Sequence, residues 1–147
     1  MFEARHSVVV DAPLADVFAF MDEPANQLAI TPSLTRAETI GYLPNGGKRV
    51  GYAYTVAGVD LTGHLEAVEY EPESRIRWEM TGDVAGEIRW RFEALDGRTR
   101  FTYAAVYDFP LGPLGPLLRP VVAWYNRWEL RRTLENLRAR VAPDGER

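Results

Sequence analysis

Cysteine is missing from this chain altogether, which rules out disulfides, thiolate nucleophiles and cysteine-held metals. Histidine stops at His6 and His64, and neither has a Cys, His or Asp partner at metal-ligand spacing. No metal site and no cofactor are therefore expected. Serine occurs at Ser7, Ser33 and Ser74 alone, with no G-x-S-x-G, so a serine-hydrolase elbow is excluded. Lys48 is the single lysine; basic residues number 17 against 21 acidic ones, for a net charge of −4. A calculated pI of 5.2 gives no general attraction to phosphate backbones, and nucleic acid is not an expected partner. The longest apolar stretch, Phe109 to Tyr125, is broken by Arg119 and several prolines, so it suits a membrane surface better than a membrane span. Nothing near Phe2-Glu3-Ala4-Arg5-His6-Ser7 has the pattern of a signal peptide, and the cytoplasm is the expected location.

What is present suits one domain, expected over residues 1–143 with a frayed tail at 144–147. Phe2 to Val10 alternates as a strand, with Ala4, His6, Val8 and Val10 on one side. Asp11-Ala12-Pro13 opens a helix, with Asp11 as the expected cap and Leu14, Val17, Phe18 and Met21 on one face; Pro24 ends it and a further short turn precedes Thr31-Pro32. From Thr35 the period becomes two. Strands are expected over Thr35–Tyr42, Arg49–Val56, Val59–Tyr70, Arg75–Met80, Val84–Ala94 and Arg100–Asp108, joined by hairpin turns such as Asp96-Gly97. In Val59–Tyr70 both parities mix apolar and charged residues, and a bulge would account for it.

The Pro/Gly segment Pro110 to Pro116 then leads into a helix running from about Leu117, with Pro120 expected in its first turn and Pro143 and Gly145 at its end. Its prolines lack the N–H groups a phosphate loop needs, which makes the segment a hinge or lid instead. Leu118, Val122, Leu130, Leu134, Leu137 and Val141 form a drifting stripe assigned to the sheet. Leu117, Val121, Trp124, Tyr125 and Trp128 occupy the other side of the first half. A helix apolar nearly all round is buried by more than its sheet, and this side is open to the preceding loop, a second subunit or a membrane surface. Strand, helix pair, six strands and long helix together give an α+β fold, a curved antiparallel sheet wrapped around one helix.

Three stretches resemble the START-like, or SRPBCC, superfamily, most closely its polyketide cyclase/dehydrase and coenzyme-Q-binding-like group. They are SVVVDAPLADVFAFMDEPANQ, VEYEPESRIRWEM, and GEIRWRFEALDGRTRFTYAAVYDFP followed by RRTLENLRARV. The resemblance implies a helix-grip fold: seven antiparallel strands around a long C-terminal helix, with two short helices between the first and second strands. It also implies an internal cavity for a hydrophobic small molecule such as a lipid, quinone or polyketide. The residues point the same way, since Tyr52, Tyr54, Trp78, Trp90, Tyr103 and Tyr107 put large rings with polar tips on the inner parity, where a solid core is more usually aliphatic. With Leu118 and Val122 from the helix, they are the expected ligand-binding wall. His64, with Asp60 and Glu66 on its parity, is the one weak catalytic candidate; its plainer reading is an exposed strand histidine. A carrier, chaperone or sensor is thus expected ahead of an aromatase/cyclase or dehydratase, because no convincing acid/base pair shows in the sequence.

Overall fold

The computed structural model describes residues 2–56, 58–108, 113 and 115–141. In chain order it contains β1 (Phe2–Val10), α1 (Leu14–Asp22), α2 (Pro24–Ile30), β2 (Leu34–Tyr42), β3 (Lys48–Val56), β4 (Val59–Glu71), β5 (Arg75–Gly82), β6 (Ala85–Leu95), β7 (Arg98–Asp108) and α3 (Gly115–Val141). The seven strands form one antiparallel sheet in the order β1-β7-β6-β5-β4-β3-β2. Consecutive hairpins produce most of this order, and β1 closes it by pairing with β7 from Phe2↔Tyr107 to Val10↔Thr99. The expected α+β architecture is therefore the observed one. Most of the Pro/Gly segment, Leu111 and Leu114 included, and the expected helix end and tail beyond Val141 lie outside the described residues.

Alternation sets the faces. Ile76, Trp78 and Met80 of β5, Ile88, Trp90 and Phe92 of β6 and Phe101 of β7 are buried together on the concave side. On the convex side Arg77 bridges Glu69 and Glu87 on the two neighbouring strands and Glu79 on its own strand, a solvent-screened network that contributes little to stability. The ambiguous strand is bulged: between Ala67 and Glu69 the β4–β5 register shifts, leaving Val68 without a partner. Leu61 and Ala67 face inward before the bulge, and after it the inward position falls to Tyr70, whose hydroxyl donates to Asp22 Oδ2 at 2.8 Å. The extra residue swaps the strand's faces, which is why neither parity was uniform. Two similar shifts interrupt β2, where Thr35 and Ile40 are skipped in the register with β3.

Two expected helix starts differ. Pro13, not Asp11, is the N-cap of α1, and no side chain caps that end; Ala12 N–H instead turns back to the Val10 carbonyl at 2.9 Å. The strand thus runs straight into the helix and leaves Asp11 exposed outside it. In α3 the helix starts at Gly115, so Pro120 lies in its second turn, beyond the N-terminal positions where a missing N–H is free of consequence.

α3 packs chiefly along β1, with α2 and α1 against its flank. Burial is concentrated in its second half, at Leu130, Thr133, Leu134 and Leu137. Two hydrogen bonds fix the α2–β2 connection to it: Asn136 Nδ2 donates to the Ile30 carbonyl at 2.9 Å, and Ser33 N–H donates to Glu129 Oε1 at 2.6 Å.

Candidate functional site

Because α3 lies along one side of the concave face, the sheet is not filled evenly beneath it. Among the described residues, two neighbouring clefts lie on its concave side. The larger has a volume of about 90 Å³ and lies between Tyr54, Tyr103 and Tyr107 of the sheet and Asn126, Glu129 and Thr133 of the helix. The smaller, about 50 Å³, is walled by Tyr52, Trp78 and Trp90 together with Met21 and Asp22 of α1. Both exceed the space one water needs. Thr31, Tyr54, Ile88 and Tyr103 line both, so the two tyrosine rings stand as a partition within a single space.

All six sheet residues expected at the wall therefore line one cleft or both. Tyr52 is fully buried and anchored, its hydroxyl donating to the Val84 carbonyl at 3.2 Å. Trp78 and Trp90 meet edge to face, with ring centroids 5.4 Å apart, an arrangement that holds both rings in place.

The helical side corrects the expectation. Leu118 and Val122 line neither cleft, and Leu118 is 39% exposed. The cause is the drift of the stripe itself: each step of four residues overshoots one turn by about 40°, so four steps back from Leu134 carry the line about 160° around the helix. The residues that do face the cleft, Asn126, Glu129, Leu130 and Thr133, have i, i+3, i+4, i+7 spacing. Three of them are polar, and a search for apolar stripes passes over them. The available signal was the gap between Val122 and Leu130, where the line requires an apolar residue at 126 and the chain supplies asparagine.

His64 sits apart. The bulge follows it, so His64 stays on the convex side, exposed and paired across to Gly51 and Thr81. Asp60 is likewise exposed, and Glu66 pairs with Arg49 at 3.1 Å.

The electrostatics of the cleft come from one carboxylate and several phenols. Burial raises the pKa of Tyr54 well above its ordinary value, with further contributions from Tyr103 and the Glu129 charge. Tyr103 and Tyr107 are raised in the same way, burial first, with Glu129 again contributing. The Trp90 indole N–H comes close enough to the Tyr103 hydroxyl to offset a little of that rise, yet its nitrogen has no partner in hydrogen-bonding geometry. At neutral pH these phenols are protonated. The set can accept protons at Glu129 and donate hydrogen bonds from the tyrosines, the combination that proton transfer to and from a bound molecule requires.

Among the described residues, five buried side-chain polar atoms have no partner in hydrogen-bonding geometry, although the Ser33 hydroxyl lies near that of Tyr125: Asp22 Oδ1, Ser33 Oγ, Trp78 Nε1, Trp90 Nε1 and Asn126 Nδ2. Every one belongs to a residue lining one of the two clefts. Buried polar atoms are nearly always satisfied in folded proteins, so their clustering around one space is informative. Among the described residues no group of His, Asp and Glu is placed to hold a metal ion, and no helix is long and apolar enough to cross a membrane.

The sequence pattern of the polyketide cyclase / dehydrase and lipid transport family matches residues 1–142. The chain belongs to this family. Solved structures of the START/SRPBCC superfamily share its fold. A protein from Thermus thermophilus, 21% identical, superposes with a TM-score of 0.84 over 95% of this chain and 96% of its own. A START superfamily protein from Mycobacterium smegmatis, 14% identical, gives 0.76 over 96% and 97%. The ZhuI aromatase/cyclase from Streptomyces sp. R1128, 20% identical, gives 0.68 over 97% of each chain. No curated protein matches the sequence. At these identities the family's structures speak to the helix-grip fold and not to a ligand.

Proposed function

We propose that the protein binds a hydrophobic small molecule, lipid, quinone or polyketide-like, between the sheet and the C-terminal helix, as a carrier, chaperone or sensor. The observation that carries this reading is the set of unpartnered polar atoms: Asn126, Ser33, Trp78, Trp90 and Asp22 all border the clefts. Aromatic walls with a few orphaned donors and acceptors suit a largely apolar molecule with a few oxygen atoms. A ligand longer than one ring occupies both clefts when Tyr54 and Tyr103 swing aside. The binding unit is the domain spanning 1–143, and the exposed Trp124 and Trp128 of α3, with the half-buried Tyr125 between them, are where it meets a second copy or a lipid surface. Native mass spectrometry before and after organic extraction tests the reading. A discrete mass lost on extraction is expected; a bare chain that also takes up no member of a lipid, quinone and polyketide panel would overturn it.

A second reading has a specific observation in its favour. Glu129, beside the protonated Tyr54, Tyr103 and Tyr107, supplies the base and acids that an aromatase/cyclase or dehydratase acting on a polyketide-like chain needs. Turnover of a reactive poly-β-ketone abolished by Glu129→Gln, with binding intact, would place this reading first.

A further inference from the structure

We propose that Glu129 sets the ligand class of the larger cleft, selecting neutral molecules that bring a hydroxyl beside a carbonyl-type oxygen and turning away carboxylates and phosphates. This rests on the reading that the cleft holds a hydrophobic small molecule, and it narrows that molecule's chemistry.

The charge inventory is one-sided. Among the described residues no lysine, arginine or histidine lines either cleft. The larger cleft holds one carboxylate, Glu129, and the smaller one holds Asp22. Asp22 is already answered: its Oδ2 accepts from Tyr70 and lies 3.2 Å from Lys48 Nζ. Glu129 has no cation within ion-pair distance among the described residues, and its one protein donor is the Ser33 N–H, which occupies Oε1. Oε2 therefore has room for a donor brought by the ligand. A second anion in the same cleft would face a like charge that no neighbouring cation compensates.

Asn126 supplies the complementary half. It stands three residues before Glu129, on the same face of α3, and its Nδ2 is a buried donor with no acceptor. A carboxylate acceptor and an amide donor side by side match a ligand hydroxyl next to a carbonyl or ether oxygen. The surrounding phenols of Tyr54, Tyr103 and Tyr107 serve either partner without adding charge. A ligand that lacks the hydroxyl forgoes a bond to Oε2, which is the kind of mismatch on which a polar site discriminates.

The test uses the full chain and two probes with the same ring skeleton, 2-naphthol and 2-naphthoate, titrated by calorimetry at neutral pH, where the first is neutral and the second anionic. The expected result is that naphthol binds at least about tenfold more tightly than naphthoate, and that Glu129→Gln brings the two within about threefold, mainly by improving naphthoate. Asn126→Asp, which adds a carboxylate to the same helix face, widens the preference, and it carries the test if the Gln variant fails to fold. Naphthoate bound as well as naphthol, or a ratio unmoved by both variants, overturns the role of Glu129 while leaving the binding reading intact. Binding of neither probe to the extracted wild-type chain overturns this proposal, while the extraction and panel experiment decides the binding reading separately.

Discussion

Both halves of α3 carry large apolar side chains, and those side chains have opposite fates. In the second half Leu134 and Leu137 are completely buried, while in the first half Leu117 is 76% exposed, Trp124 64% and Val121 62%. Between them, at Asn126 to Thr133, the helix presents polar groups to the cleft. One helix thus does three jobs along its length: an apolar surface left exposed among the described residues, then a polar wall, then a clamp on β1. The difference teaches that apolar content alone does not place a helical residue inside. What decides is which residues the turn of the helix brings over the sheet, and the apolar positions of the first half come round to the other side.

The most disruptive way to probe that contrast is to truncate matched leucines. Leu134→Ala should cost about 2–5 kcal/mol, as expected for a fully buried leucine whose cavity cannot collapse, whereas Leu117→Ala should stay within about 0.5 kcal/mol. Urea denaturation of the two variants checks this, and equal losses would erase the distinction between the halves.

Alkaline pH probes the middle of the helix and the phenols around it. Burial, then the hydrogen bond to Asp22 and the Asp22 charge, push the Tyr70 pKa up to about 12, and burial raises Tyr54, Tyr103 and Tyr107 too. In the unfolded chain these groups ionise near pH 10. Their stability contribution is full below that value and is lost as pH climbs toward the folded values, because the unfolded state then sheds protons that the native state keeps. Stability should therefore fall between about pH 10 and 12, and Tyr54→Phe with Tyr103→Phe should flatten that fall. A slope identical in the double variant would mean that these rings are not buried in the folded protein.

A gentler change addresses the first half. Trp124→Glu with Trp128→Glu should leave the urea midpoint close to that of the parent chain while altering sedimentation or liposome flotation. Wild-type behaviour in both assays would show that this surface meets neither a second copy nor lipid. Smallest of all is His64→Ala, on the far side of the sheet, which should leave folding and any turnover unchanged. A loss of roughly 10²-fold in activity with folding intact, the scale of lost acid/base catalysis, would bring the convex face into the mechanism.

Much of this was readable from the chain itself. Period-two alternation and hairpin turns mark every strand within a few residues, and the inward parity picks out six of the sheet residues that line the clefts, from Tyr52 to Tyr107. The helical half was hidden for a definite reason. Asn126, Glu129 and Thr133 face the concave side, but a hydrophobicity pattern marks polar residues as solvent-facing and points to Leu118 and Val122 instead. The facing of β4 was unreadable for a different one: a single unpaired residue, Val68, reverses parity in mid-strand, and no local composition marks where. Asp11 had the chemistry of a cap and lost the position because Pro13 brings the chain into the helix by itself.

The interruptions of β2 bear on how the molecule behaves in a crowd. β2 ends the sheet, so its outer row of peptide groups is available to any extended chain that drifts alongside, and Ile40 and Tyr42 on it are 49% and 67% exposed. Thr35 and Ile40, each skipped by the β3 ladder, break that row and leave only Arg36 to Thr39 as an uninterrupted template. Within this short stretch Arg36 and Glu38 are charged, which disfavours stacking of like upon like. The edge is thus blunted against runaway sheet growth by irregular spacing and charge.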